Sequence, residues 1–154
     1  MSYQDFQNAV IKVQQCNSYK SRGSVSDDVL MKAEELIGFN LSKQTKEYLK
    51  VFGYINIYGH EFFGIYKDDF SGNLHGNMVE STLAEREDYS LPNEWLFLYF
   101  FDDGYYGFLD YSDLNPDEEP SVIMANYNGI EYIKVKKIAD DFGEFLLKCV
   151  QNQG

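Results

Sequence analysis

Apolar positions recur at helical spacing in the first third of the chain, change to strand-like runs in the middle, and return to helical spacing at the end. Phe6, Ala9, Val10 and Val13 mark a first helix over 3–16, with Ser2 placed as its N-cap. A second begins after Ser26, with Asp27 and Asp28 in its electropositive first turn and Val29, Leu30, Ala33, Leu36 and Ile37 as the buried stripe. Gly38 is placed to end it by taking a left-handed conformation. Ser42 caps a third helix that turns Thr45, Tyr48, Leu49 and Phe52 inward and stops at Gly53.

From Tyr54 the period becomes two. Residues 54–58 read as a strand, Gly59-His60 as a turn, and Phe62 to Tyr66 as its partner strand. Lys67 to Gly76 has the Gly, Asn and Asp content of a loop. A short helix is expected over 77–88, with Met78, Val79, Thr82 and Leu83 inward, broken by Leu91-Pro92. Seven apolar or aromatic residues, Trp95 to Phe101, then run through Asp102-Asp103-Gly104 into Tyr105 to Leu109. Runs of this kind on either side of Asp-Gly predict a central hairpin covered on both faces. An acidic loop over 111–120, a strand over 121–127, an Asn128-Gly129 turn into a strand over 130–135, and a helix over 138–150 complete the order. That last helix would carry Ile138, Phe142, Phe145, Leu146 and Cys149 on one face. The expected class is α+β: one domain spanning 1–154, with a mostly antiparallel central sheet of about six strands covered by N-terminal, middle and C-terminal helices.

Composition adds little to the fold but much to the partner. At 44% apolar residues, with 13 Tyr and 12 Phe in 154 residues, the chain has the material for one real core. No signal peptide is evident and the longest apolar run is too short for a bilayer, so a soluble, cytoplasmic protein is expected. Cys16 and Cys149 each fall on a helical stripe and are expected as free, core-like thiols. Net charge is −12, and its placement is uneven: residues 80–119 hold 12 acids against one base, Arg86. Such a middle third repels nucleic acid and anionic membrane and suits a basic protein surface; its simpler role is to keep the chain soluble.

Catalytic and metal motifs are missing. His60 and His75 lie in expected turns, and with Glu61, Asp68 or Asp69 they have no helical spacing for a metal. The acidic stretch 110–119 lacks the glycine of a calcium loop, and adjacent acids such as Asp102-Asp103 are the composition of a solvated turn. There is no phosphate-cradling glycine loop, nucleophile elbow or basic aromatic patch. No enzyme, cofactor or metal is expected.

In order, LIG (36–38), KEYLKVFG (46–53), FFGIY (62–66), the helix carrying Arg86, LPNEW (91–95), DDGYYGFLD (102–110), PSVIMAN (120–126) and IADDFGEFLL (138–147) resemble the SMI1/KNR4 family of the SUKH superfamily. Leu41-Ser42 stands where Leu-Pro is usual, and Phe52-Gly53-Tyr54 where Asn-Gly-Gly is. The resemblance implies Trp95 and Phe142 as core anchors, Gly104 as the turn and Asp110 as a strand cap. It also implies a cytoplasmic immunity protein that neutralises a cognate secreted toxin, often a nuclease, of a contact-dependent bacterial system. Its alternative is an intracellular scaffold or regulator, whose known forms carry long flanks that this sequence lacks.

Contact residues are not shared across such proteins, so the expected site comes from charge and side-chain type. Clustered carboxylates beside tyrosines can meet the basic cleft that a nuclease presents to phosphate. The expected toxin-binding residues are Asp102, Asp103, Tyr105, Tyr106, Asp113, Asp117, Glu118 and Glu119, with Glu85, Glu87 and Asp88 as a second edge.

Overall fold

A computed structural model describes residues 2–65 and 76–151. Residues 66–75 fall outside it, and with them His75, Asp68, Asp69 and most of the expected loop. Helices α1 (Ser2–Gln15), α2 (Asp27–Ile37) and α3 (Lys43–Val51) surround a two-residue strand β1 (Lys20–Ser21) and precede β2 (Ile55–Ile57) and β3 (His60–Phe62). Helix α4 (Met78–Tyr89) leads to β4 (Trp95–Phe100), β5 (Tyr106–Leu114), β6 (Pro120–Tyr127) and β7 (Tyr132–Ala139), and α5 (Phe142–Gln151) closes the order. The strands form one seven-stranded antiparallel sheet in sequential order, β1 to β7. The α+β class and its helical cover are as the sequence predicts, with β1 as the added strand.

Local chemistry sets several boundaries. Ser26 and Ser42 accept the Val29 and Thr45 backbone N–H groups, and Gly38 ends α2 at φ 90°. Asn77 accepts from both Val79 and Glu80 at the start of α4. Other boundaries move. The turn between β2 and β3 is Tyr58-Gly59, both at positive φ, so His60 belongs to β3, with Nδ1 2.5 Å from the Tyr99 hydroxyl. Strand β5 continues to Leu114 after an irregularity in its pairing with β6, which shortens the acidic loop to 115–119. Tyr127 pairs with Tyr132, so the last hairpin has four loop residues, not two. There Asn128 Oδ1 accepts from the N–H groups of Ile130 and Glu131, and Ile130 is left exposed. Ile138 lies in β7, and α5 starts at Phe142 because Asp141 caps it, accepting from Glu144 N–H. Leu36 is exposed, not inward.

The alternation of β-strand side chains splits the rings into two layers. On one face Phe62, Tyr99 and Phe101 meet Phe145, and Phe142 joins Phe62 to Tyr48 of α3 and Phe6 of α1. On the other, Phe63, Trp95, Phe97, Phe100, Tyr106, Phe108 and Tyr132 form a continuous ring network beside α4. Trp95 and Phe142 are buried, as anchors should be. A shift in register between Phe97 and Tyr99 frees the Phe97 N–H, which Thr82 Oγ1 accepts at 2.9 Å, pinning α4 to β4. The outer strand β7 carries Lys134, Lys136 and Lys137, charges that discourage edge-to-edge pairing.

One backbone crossing is especially tight. Tyr48 donates to the Phe62 and Phe63 carbonyls at 2.8 and 2.9 Å, and Ile65 N–H donates to Gly53 O at 2.8 Å. A Cβ at Gly64 would sit 1.7 Å from Gly53 O. Gly64→Ala should therefore cost about 3 kcal/mol, read as a lower urea midpoint. Gly104→Ala meets open space but a φ of 80°, and should cost only about 1 kcal/mol.

Candidate interaction site

The β4–β5 turn sets Asp103 and Gly104 at φ 62° and 80°, with Asp102 and Asp103 exposed at its tip. Tyr106, the first residue of β5, returns its ring to the α4 side of the sheet, where it packs on Phe97, Phe100 and Tyr132. The β6–β7 turn lies at the same end of the sheet, since alternate turns of an antiparallel meander do. The last turns of α4 reach this end as well. Glu85, Tyr89, Gly104, Tyr106, Tyr127 and Tyr132 together line a cleft of about 350 Å³. A second lobe of about 260 Å³ shares Glu85 and Tyr106 with it and is otherwise walled by Phe63, Ser81, Ala84, Phe97 and Phe100.

Ring centroids of Tyr89 and Tyr127 are 4.9 Å apart, those of Tyr127 and Tyr132 5.5 Å, and those of Tyr106 and Tyr132 6.4 Å. All three pairs are steeply inclined, so the rings make a wall rather than a stack. Tyr132 donates a short hydrogen bond to Glu85 Oε1. Burial, then that bond and the Glu85 charge, raise the Tyr132 hydroxyl pKa. Burial also raises Tyr106, followed by the charges of Glu85 and Tyr89. Both hydroxyls are therefore protonated at neutral pH. Phe100 and Tyr89 leave large ring surface to solvent, at 51% and 43% exposure. The combination offers flat apolar area, hydroxyl groups and one carboxylate, which is the chemistry of a binding surface.

The family model described as SMI1-KNR4 cell-wall, SUKH_6, matches residues 27–146. The chain belongs to the SMI1/KNR4 family. The match runs from the first residue of α2 into α5, so α1 lies outside it although it packs on α5 through Phe6 and Gly143. No curated protein matches the chain.

In this SMI1/KNR4 domain the expected site residues separate into two groups. Asp102, Asp103, Tyr106 and Glu85 meet at the hairpin end, with Glu87 and Asp88 exposed on the last turn of α4 beside Tyr89. Tyr105 is half-buried next to the tip but does not line the cleft. Asp113, Asp117, Glu118 and Glu119 lie toward or beyond the other end of β5, roughly 25 Å away for a strand of that length. Asp113 is 3.8 Å from Lys137 Nζ. Asp117 and Glu118 are exposed in the β5–β6 loop, where Glu118 takes φ 62°.

Glu119 is not a surface acid: it is 3% exposed and accepts the Gln44 N–H at 3.1 Å. Gln44 also donates to Asp141 and accepts from Gly143 N–H, tying α3 to the start of α5. Asn115 donates to Asp141 as well and accepts from the Asp117 and Glu119 N–H groups. Asp110 is buried too, accepting from Ser112 N–H and hydroxyl at the bend in β5.

Tyr89, Tyr127 and Tyr132 are absent from the expected site. Tyr127 and Tyr132 lie on either side of the turn that holds Asn128-Gly129, but a two-residue turn there would pair Tyr127 with Ile130, and only the four-residue loop pairs the two tyrosines. Tyr89 gives no local signal either, because only the path of α4 over the sheet brings it there. The two cysteines are free thiols. Among the described residues no group of three His, Cys, Asp or Glu is placed to hold a metal ion. Nor is any helix among them long and apolar enough to cross a membrane.

Burial raises the Glu119 pKa above the ordinary value of 4.5, and Asp141 and Asp117 add to this against the hydrogen bonds of Ser42 and Gln44. The folded chain thus holds this proton more tightly than the unfolded one. The stabilising contribution of protonated Glu119 is complete below pH 4.5 and is lost as pH rises through the raised folded value. Glu119→Gln keeps an acceptor for Gln44 without the charge. Its stability relative to wild type should rise with pH from about pH 4 to neutrality, gaining on the order of 1 kcal/mol in urea melts.

Proposed function

We propose that this SMI1/KNR4 domain is a cytoplasmic immunity protein that acts by binding, without catalysis. Its partner would be a cognate secreted bacterial toxin with a basic face, of the kind a nuclease presents to nucleic acid. The observation that carries this reading is the hairpin end of the sheet. There exposed acids on two elements, Asp102 and Asp103 on the turn and Glu87 and Asp88 on α4, border an aromatic cleft that contains Glu85. Membership of the SMI1/KNR4 family supports a protein-interaction role. Exposed carboxylates steer a basic partner and raise the association rate, while ring surface excludes water and slows dissociation. Phe100 and Tyr89 are the exposed anchors in this arrangement. Asp113, Asp117, Glu118 and Glu119 are left out of the contact surface, because they sit away from the cleft or are buried.

The decisive experiment is co-expression with the toxin encoded by the neighbouring gene, with binding kinetics on the purified pair. Asp102→Lys with Asp103→Lys, or Glu87→Lys with Asp88→Lys, should lower the association rate about tenfold at low salt and weaken protection. Asp117→Lys with Glu118→Lys should leave both within about twofold. Loss of protection only in the Asp117 and Glu118 variant moves the interface to the β5–β6 loop. Protection unaffected by all three sets, with the proteins folded, leaves an intracellular scaffold as the better reading.

A further inference from the structure

We propose that the tyrosine-walled cleft at the hairpin end is a receptor for a single guanidinium group, supplied by an arginine side chain of the protein partner. The inference depends on the immunity reading only for the identity of that partner; the site is built from this chain alone.

Four rings, those of Tyr89, Tyr106, Tyr127 and Tyr132, surround a space that also contains a carboxylate, Glu85. An aromatic wall attracts a cation to its ring faces, and a planar, weakly hydrated guanidinium stacks on such faces better than an ammonium does. Glu85 supplies the counter-charge. Its Oε1 already accepts from Tyr132, which leaves the other oxygen for an N–H donor. No lysine or arginine among the described residues forms an ion pair with Glu85. None is placed over any of the four rings; the described cation–ring contacts join Arg22 to Tyr54 and Lys43 to Tyr3. A half-buried carboxylate in an aromatic setting, with no cation paired to it among the described residues, offers an incoming guanidinium a charge-assisted hydrogen bond.

Position and charge agree with this occupant. Gly104 lines the cleft with open space where a side chain would be, so the tip does not close it. Asp102 and Asp103 precede that glycine, and Glu87 and Asp88 precede Tyr89, so the approach to the cleft is negative. An anionic ligand is repelled by that field, and a neutral one gains nothing from it. The volume of about 350 Å³ is near the lower end for small-molecule pockets, which suits one inserted side chain.

The test is a titration of isotope-labelled full-length chain with N-acetyl-arginine amide, and with N-acetyl-citrulline amide as the uncharged isostere. The arginine probe should give saturable shifts at the Gly104 amide and the Tyr127 and Tyr132 rings, with affinity in the range of about 1–10 mM. The citrulline probe should give none. Glu85→Gln should weaken the arginine probe about fivefold or more, and Tyr89→Ala about threefold, each checked for fold by circular dichroism. Tyr89 is exposed, so its variant keeps the test alive if the Glu85 variant unfolds. Equal shifts with both probes, shifts confined to the β5–β6 loop around Asp117, or wild-type affinity in the folded variants would overturn the proposal. Should the arginine probe fail while Asp102→Lys with Asp103→Lys still weakens toxin binding, the receptor is wrong and the immunity role stands. Should the probe bind while none of the charge reversals, at the hairpin end or at Asp117 and Glu118, alters protection, the receptor stands and the immunity role fails.

Discussion

The central pair β4 and β5 is buried on both faces, and a sheet buried on both faces must find a hydrophobic cover for each. That requirement organises the molecule. The aromatic side chains divide between the faces, Phe62 against Phe63 by alternation and Tyr99 against Phe97 by the register shift between them, so that each face has its own ring network. On one side α1, α3 and α5 supply enough helix to seal the layer through Phe6, Tyr48, Phe142 and Phe145. On the other, α4 has only 12 residues, or about 18 Å of helix. It seals Trp95, Phe97 and Phe108 but leaves Phe100, Tyr106 and Tyr127 partly uncovered at the hairpin end. The cleft is thus the margin of an incomplete layer, and the rings that line it continue the core.

Burial also decides what each acid does. Glu119, Asp110 and Asp141 are the same chemical groups as Asp102, Asp103 and Asp88, yet the first three are inside and each accepts a backbone hydrogen bond. Around Gln44 and Asn115 they bind the β5–β6 loop to the ends of α3 and α5. A buried carboxylate needs hydrogen-bond donors, and the backbone N–H groups of Gln44, Ser112 and Glu144 supply one each to Glu119, Asp110 and Asp141, while Glu119 Oε1 is buried without a partner. The exposed acids at the other end carry no such duty. Their field extends into solvent, where a charged partner can feel it.

A rigid sheet with a soft charged margin suits an interaction domain. The hairpin tip is held by the β4–β5 ladder, and α4 is fixed by the Thr82 bond to Phe97, so ring and carboxylate positions are set before any partner arrives. Such preorganisation lowers the entropy lost on binding.

Much of the fold was legible in short stretches of sequence, because the responsible forces act over a few residues. Ser26, Ser42 and Asn77 cap helices through their own side chains, Gly38 ends one by its freedom at positive φ, and the period of apolar residues separates helix from strand. The misplaced boundaries have distant causes. Strand β5 reaches Leu114 because Pro120 pairs with it, and α5 starts at Phe142 because Asp141, held by Gln44 of α3, caps it. By itself the sequence determined an acidic, aromatic α+β domain of the SMI1/KNR4 kind, with negative charge gathered in its middle third. Only the tertiary structure decided that those charges go to two ends of β5, that Glu119 is inside, and that Tyr89, Tyr127 and Tyr132 converge on Glu85. Strand register and the path of a helix across a sheet join residues far apart in the chain, and neither is written in the residues next to them.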